Sequence, residues 1–288
     1  MRTILVLTDF SEKSKHAAEV AWTIAKQARA NLLLYNACYI PDSKAVLAGP
    51  NRLYYDNYTI YNDATRINLQ VMAEKLMAKL CVQGEEFNPT IRCTHDIGTL
   101  KDNIKSIQER EDIWMIVMGD KSDEGIIHQL VYSSDSNEVV NKAKCPVLLV
   151  PEKFTFKSIR KVAFTTDVFS NVDFRALNYV ADLAKPFNAE ILVTHINLSE
   201  LGEKAGSAHY KAVQKAKGDI EYDRITYKEI LADEVPKTLA QYAYNIHADI
   251  ITLIHKRYSF FEDLFHISTT KRIMNYHLLP MLIFPSEF

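Results

Sequence analysis

The chain has 288 residues, 48% of them hydrophobic and 24% charged, with only 8 glycines and 9 prolines. That composition builds sizeable buried cores and excludes an intrinsically disordered chain. Its 34 basic and 36 acidic residues leave a formal net charge of -2, without the concentrated basic surface of a nucleic-acid binder, and no uncharged apolar run is long enough to span a membrane.

In chain order, Ile4 to Leu7 is a continuous apolar run of the kind a buried parallel strand requires. Met1-Arg2-Thr3 leads straight into it, with neither an extended apolar segment nor a small-residue cleavage site, so a cytoplasmic protein is expected. Ser11 is a good N-cap for a helix whose apolar stripe, Ala17, Ala18, Ala21, Trp22, Ile24 and Ala25, continues to Ala28. Asn31 to Tyr35 reads as the second strand. A polar, tyrosine-rich stretch from Pro41 to about Asp63 precedes a second helix through Leu69, Met72, Leu76 and Leu80. Thr90 to Thr94 is the third strand, Leu100 to Arg110 the third helix, Ile113 to Met118 the fourth strand, Asp135 to Ala143 the fourth helix and Val147 to Val150 the last strand. Such alternation predicts right-handed crossovers and a parallel sheet covered on both faces.

The order then repeats, with strands near Val162–Thr165, Glu190–His195, Asp223–Lys228, Asp249–Ile254 and Met281–Phe284. The repeat is written into the ends of each half. Ile4-Leu5-Val6-Leu7-Thr8-Asp9-Phe10-Ser11 is echoed by Val162-Ala163-Phe164-Thr165-Thr166-Asp167-Val168-Phe169-Ser170. Cys145-Pro146-Val147-Leu148-Leu149-Val150-Pro151 is echoed by Leu279-Pro280-Met281-Leu282-Ile283-Phe284-Pro285. A period this long marks a duplicated domain, since solenoid units run about 20–50 residues. The expected domains are residues 1–152 and 157–288, joined by a short link.

In an open parallel sheet, ligands gather at the carboxyl ends of the strands where strand order reverses. Three segments of the first repeat fall there. Thr8-Asp9-Phe10-Ser11 follows strand one and offers a carboxylate to ribose hydroxyls or an adenine amine. The second is Gly119-Asp120-Lys121-Ser122-Asp123-Glu124-Gly125. The third is Ser133-Ser134-Asp135-Ser136, at a helix start whose free N–H groups and dipole favour phosphate. Asp9 serves equally well as an ordinary turn or cap residue, Asp167 reads more readily as one, and Ser134 and Ser136 read first as helix caps.

These residues resemble the universal stress proteins in their tandem, two-domain form, over both halves of the chain. The resemblance rests on Asp9 and Asp167, the Val117-Met118-Gly119 loop entry, the hydroxyl-rich helix start and the proline-flanked terminal strands. It implies an α/β fold of two tandem, doubly wound, five-stranded parallel-sheet domains, Rossmann-like and of the adenine nucleotide alpha hydrolase kind. In that family the terminal strand pairs antiparallel with its copy, which implies here an internal pseudo-dimer, with a further homodimer of the whole chain and a protein partner left open.

ATP-binding members carry GxxGx9G[ST], whose glycines let backbone amides approach the triphosphate. Gly119 matches the first glycine, Ser122 stands at the second, Ser133 and Ser134 replace the Gly-Ser pair, and the loop is one residue longer, with Gly125 inside it. Asp123 and Glu124 oppose phosphate unless a metal such as magnesium intervenes. The implied ligand is ATP or AMP, held by Thr8, Asp9, Gly119, Ser122, Gly125, Ser133, Ser134 and Ser136. The second repeat departs further: beside Asp167, Ser268 and Thr269, it has His255 in place of the glycine and a bulky aromatic run after it.

Other chemistry lacks its signature. No GxSxG elbow or GxGxxG turn is present. Cys93 and His95, on one face of a strand, supply two of the four ligands a structural zinc needs. Cys38, Cys81, Cys93 and Cys145 form no CxxC pair and read as plain thiols. Tyr54, Tyr58 and Tyr61 share a face if their segment is helical. Three readings stay open: a stress-response protein that acts by binding, an ATP-hydrolysing enzyme, and a partner-binding module without nucleotide.

Overall fold

Thr3–Leu7 forms the first strand, β1, and every residue of it is buried. In this computed structural model, residues 1–38, 52–78, 87–120, 134–166, 171–198, 220–232, 241–254, 279–285 and 288 are described. The chain divides into two compact units, Met1–Gly119 and Asp120–Phe288.

In the first unit, α1 (Glu12–Ala28) follows β1. Ser11 caps it, its side chain accepting from the Ser14 N–H, and Arg29 closes it in the left-handed region, its N–H bonded to the Ala25 carbonyl. β2 (Asn31–Cys38) and α2 (Arg52–Ala78) come next, then β3 (Ile91–Ile97), α3 (Leu100–Arg110) and β4 (Met115–Asp120). The strand order is β3-β2-β1-β4, all parallel, with Leu5 opposite both Leu33 and Ile116. β3, at the edge, is half exposed, and charged residues guard it: Arg92 pairs with Glu111 and Asp96 with Arg110. Gly98, at φ 115, makes the turn into α3, where a side chain would be strained.

In the second unit, α4 (Ser134–Lys142) leads to β5 (Val147–Pro151). β6 (Lys161–Thr166), α5 (Asn171–Ala184), β7 (Glu190–Leu198), β8 (Ile225–Ala232), β9 (Ile250–Ile254) and β10 (Met281–Phe284) follow. The order β5-β10-β9-β6-β7-β8 is parallel except at β10 and β5, which run antiparallel with Leu282 opposite Leu148. Phe164, Leu282 and Phe284 are fully buried.

Some expected boundaries move. α2 begins at Arg52, so the tyrosine-rich run lies largely inside a helix. β4 continues through Gly119 and Asp120, which the sequence places in a loop. β3 and β8 extend three and four residues beyond their expected ends, to Ile97 and Ala232. Leu80 and Cys81 lie outside the described residues.

Candidate functional site

Strand order in the first unit reverses between β1 and β4, since β2 and β3 lie to one side of β1 and β4 to the other. The carboxyl ends of these two strands therefore bound the crevice in which a doubly wound sheet takes its ligand. Thr8 to Ser11 turns the corner from β1 into α1.

That corner is held by its own polar groups. The buried Thr8 accepts at its backbone from the Asn36 side chain at 2.7 Å, and its N–H donates to the Tyr35 carbonyl at 2.9 Å. Its hydroxyl accepts from the Phe10 N–H at 3.0 Å and lies 3.0 Å from the Ser14 hydroxyl, which in turn donates to the Ser11 carbonyl. Phe10 sits at φ 64, a conformation that costs a bulky residue about 1–2 kcal/mol. Two consecutive side-chain turns hold it there: Thr8 receives the Phe10 N–H, and Asp9 Oδ1 receives the Ser11 N–H at 3.1 Å and the Ser11 hydroxyl.

The Asp9 carboxylate stands 57% exposed, with Lys13 Nζ 3.7 Å from its second oxygen. Partial burial works to raise its pKa. Hydrogen bonds from the Ser11 hydroxyl and N–H, then from Ser14, together with the Lys13 charge, outweigh burial and hold the group below the usual carboxylate value. The result is an ionised, solvent-facing acceptor on a fixed turn, suited to a hydroxyl or amine donor.

Gly119 faces the other way, chemically. A Cβ there would lie 2.4 Å from the Lys13 carbonyl oxygen and 2.6 Å from its carbon, so the first turn of α1 fills the space a glycine leaves. Asp120 beside it is 2% exposed.

The second unit repeats the corner with different residues. Thr166, like Thr8 at the end of its strand, donates its hydroxyl to the fully buried Asp173 at 2.6 Å, where Thr8 meets Ser14. His195 Nδ1 lies 3.2 Å from the Thr166 carbonyl, where Asn36 meets the Thr8 carbonyl. A carbonyl only accepts, so Nδ1 of His195 is the donor of this bond.

Of the residues expected at the site, Thr8, Asp9 and Gly119 are at the switch point of the first unit. Ser136 is buried in α4, and Ser134 opens that helix. Ser122, Gly125, Ser133, Asp167, His255, Ser268 and Thr269 lie outside the described residues. Lys13, Ser14 and Asn36 were not anticipated. Lys13 was detectable as the i+4 partner of Asp9, whereas Asn36 reaches Thr8 only through the β1–β2 register. Cys93 and His95 do share a face, but both are spent on α2: the Cys93 thiol on the Leu69 carbonyl at 3.6 Å, and His95 Nε2 on Asn62 Oδ1 at 2.7 Å. Among the described residues, no group of three His, Cys, Asp or Glu side chains is placed to hold a metal, and no helix is long and apolar enough to cross a membrane.

The model of the universal stress protein family matches residues 1–151, more than half of the chain. The chain belongs to the universal stress protein family. Its fold extends that likeness through the second half. A universal stress protein from Archaeoglobus fulgidus superposes with a TM-score of 0.72 at 15% identity, covering 99% of this chain and 98% of that one. A putative universal stress protein from Pseudomonas aeruginosa gives 0.58 at 13% identity, covering 100% and 94%. The cytoplasmic domain of a prokaryotic cation chloride cotransporter gives 0.52 at 9% identity, covering 99% and 96%. At these identities the structural likenesses speak for the fold of this universal stress protein alone. A search of curated proteins finds no match for it.

Proposed function

We propose that this universal stress protein acts in a cytoplasmic stress response by binding, taking an adenine nucleotide such as ATP or AMP at the carboxyl end of β1. The observation that carries the reading is the Asp9 carboxylate, ionised and solvent-facing on a fixed turn at the switch point between β1 and β4. It suits the ribose or adenine end of the ligand. On the Cβ side of Gly119 α1 occupies the space, so no phosphate enters there. The described residues thus favour recognition of the nucleoside over the phosphates, and AMP and ATP should bind within about tenfold of each other. Magnesium would act only by offsetting Asp123 and Glu124 beside a phosphate.

The two repeats, residues 1–152 and 157–288, are read as an internal pseudo-dimer joined through their terminal strands, with the antiparallel β5–β10 pair as support. A second reading, a partner-binding module without nucleotide, is favoured by the consumption of the Gly119 space. Isothermal titration with ATP and with AMP, each with and without magnesium, separates the two. Heat with both nucleotides supports binding, whereas no heat at about 1 mM leaves the module. Turnover of bound ATP would instead establish an enzyme.

A further inference from the structure

α2 is apolar on two opposite faces, and among the described residues only one of them is packed. Leu69, Met72, Ala73 and Leu76 are buried on the side that packs against β2 and β3. On the far side, Ile60 is 63% exposed, Ile67 55% and Val71 41%, and Ala64 and Ala78 are exposed beside them. A helix with two apolar faces is ordinarily covered on both. The outer residues, Ile60, Ala64, Ile67, Val71, Glu74 and Ala78, alternate in spacing between four and three. That is the seam of a two-stranded coiled coil.

We propose that this face of α2 is a homodimer surface, on which α2 of a second copy of the chain packs antiparallel about a two-fold axis level with Leu69. The choice of occupant and direction rests on size and charge complementarity. A parallel pair would set Glu74 against its own copy in the seam, where like charges repel. The antiparallel pair sets Ile67 against Val71 next to the axis and, further out, Glu74 against Ala64 and Ile60 against Ala78, a large residue meeting a small one in each of the outer pairs. It also brings the Lys75 ammonium to the ring of Tyr61, a favourable cation–π pairing, and each contact recurs through the two-fold, as an isologous interface requires. Residues 59–78 span roughly 30 Å at 1.5 Å per residue, and a helix is about 10 Å wide. A strip of that size makes a small interface, so the dimer is a weak, concentration-dependent one.

Sedimentation velocity on the full chain from about 1 µM to about 200 µM tests this. The wild-type protein should pass from monomer to dimer, and Ile67→Lys, a change at an exposed site, should weaken association at least about tenfold. A wild-type protein monomeric throughout, or a dimer indifferent to Ile67→Lys, overturns the proposal. Oxidative crosslinking fixes the direction. Gln70→Cys lies next to its own copy across the axis and should link two chains beyond the wild-type background, while Ala64→Cys should not. Preferential linking through Ala64→Cys would overturn the antiparallel arrangement.

Discussion

Gly119 and Lys13 touch backbone to backbone: a Cβ on Gly119 would fall 2.4 Å from the Lys13 carbonyl oxygen. Nothing at that contact is a flexible side-chain end, so an added methyl can be accommodated only by shifting β4 away from α1. Gly119→Ala should cost about 1–3 kcal/mol of stability, the range for overpacking, read as a lowered urea midpoint without any nucleotide present. A glycine retained solely to admit phosphate would leave the ligand-free midpoint where it was.

Asp9 carries two duties that one substitution can separate. Asn keeps an acceptor for the Ser11 N–H and so preserves the turn, but it removes the negative charge presented to a ligand. Asp9→Asn should change stability by less than about 1 kcal/mol and lower AMP affinity at least about tenfold in titration. Unchanged affinity would move the nucleotide site elsewhere.

Some of this was legible in the sequence and some was not, for reasons that differ by residue. Ile4 to Leu7 reads as a buried strand because a doubly covered sheet demands an uninterrupted apolar run. The cap at Ser11 follows from local chemistry alone, and the helix it opens ends at Ala28, where its apolar stripe ends. Gly119 and Asp120 read as loop because glycine and aspartate are poor strand formers, yet β4 carries them on, Gly119 fitting where only a residue without a side chain can. The early start of α2 was hidden because its first turns are polar and rich in tyrosine, and the tyrosines line up on one face only if the segment is already taken as helical. At the candidate site, the placement of Asp9 followed from the strand end, while the Asn36 bond to Thr8 spans 28 positions and is visible only once β1 and β2 are in register.

Asp96 gives the fold an acid-sensitive support. Both terminal nitrogens of Arg110 hold its carboxylate and lower its pKa; burial opposes this, and the Tyr35 hydroxyl, donating at 3.1 Å, adds to the lowering. A carboxyl whose pKa is lower folded than unfolded contributes stability above the unfolded value, about 3.9, and loses it as pH falls through the folded one. Urea midpoints should therefore owe nothing to Asp96 titration between about pH 7 and 5 and fall below about pH 4. With the pair partly exposed, Arg110→Ala should cost under about 1 kcal/mol at neutral pH and flatten the acid limb. An acid limb unchanged by Arg110→Ala would assign it to other carboxylates.

His195 and Asn36 hold the carbonyls at the ends of corresponding strands, Thr166 in one unit and Thr8 in the other. What the position needs is a side-chain donor, and the imidazole is one way to supply it. His195→Asn should retain the bond and stay within about 1 kcal/mol of the wild-type protein, while His195→Ala leaves the buried site short of both a donor and a ring and should cost about 2–4 kcal/mol. Urea unfolding of both variants at pH 7 measures the difference. If Asn proves as costly as Ala, the ring itself packs the corner, and the bond to Thr166 is incidental.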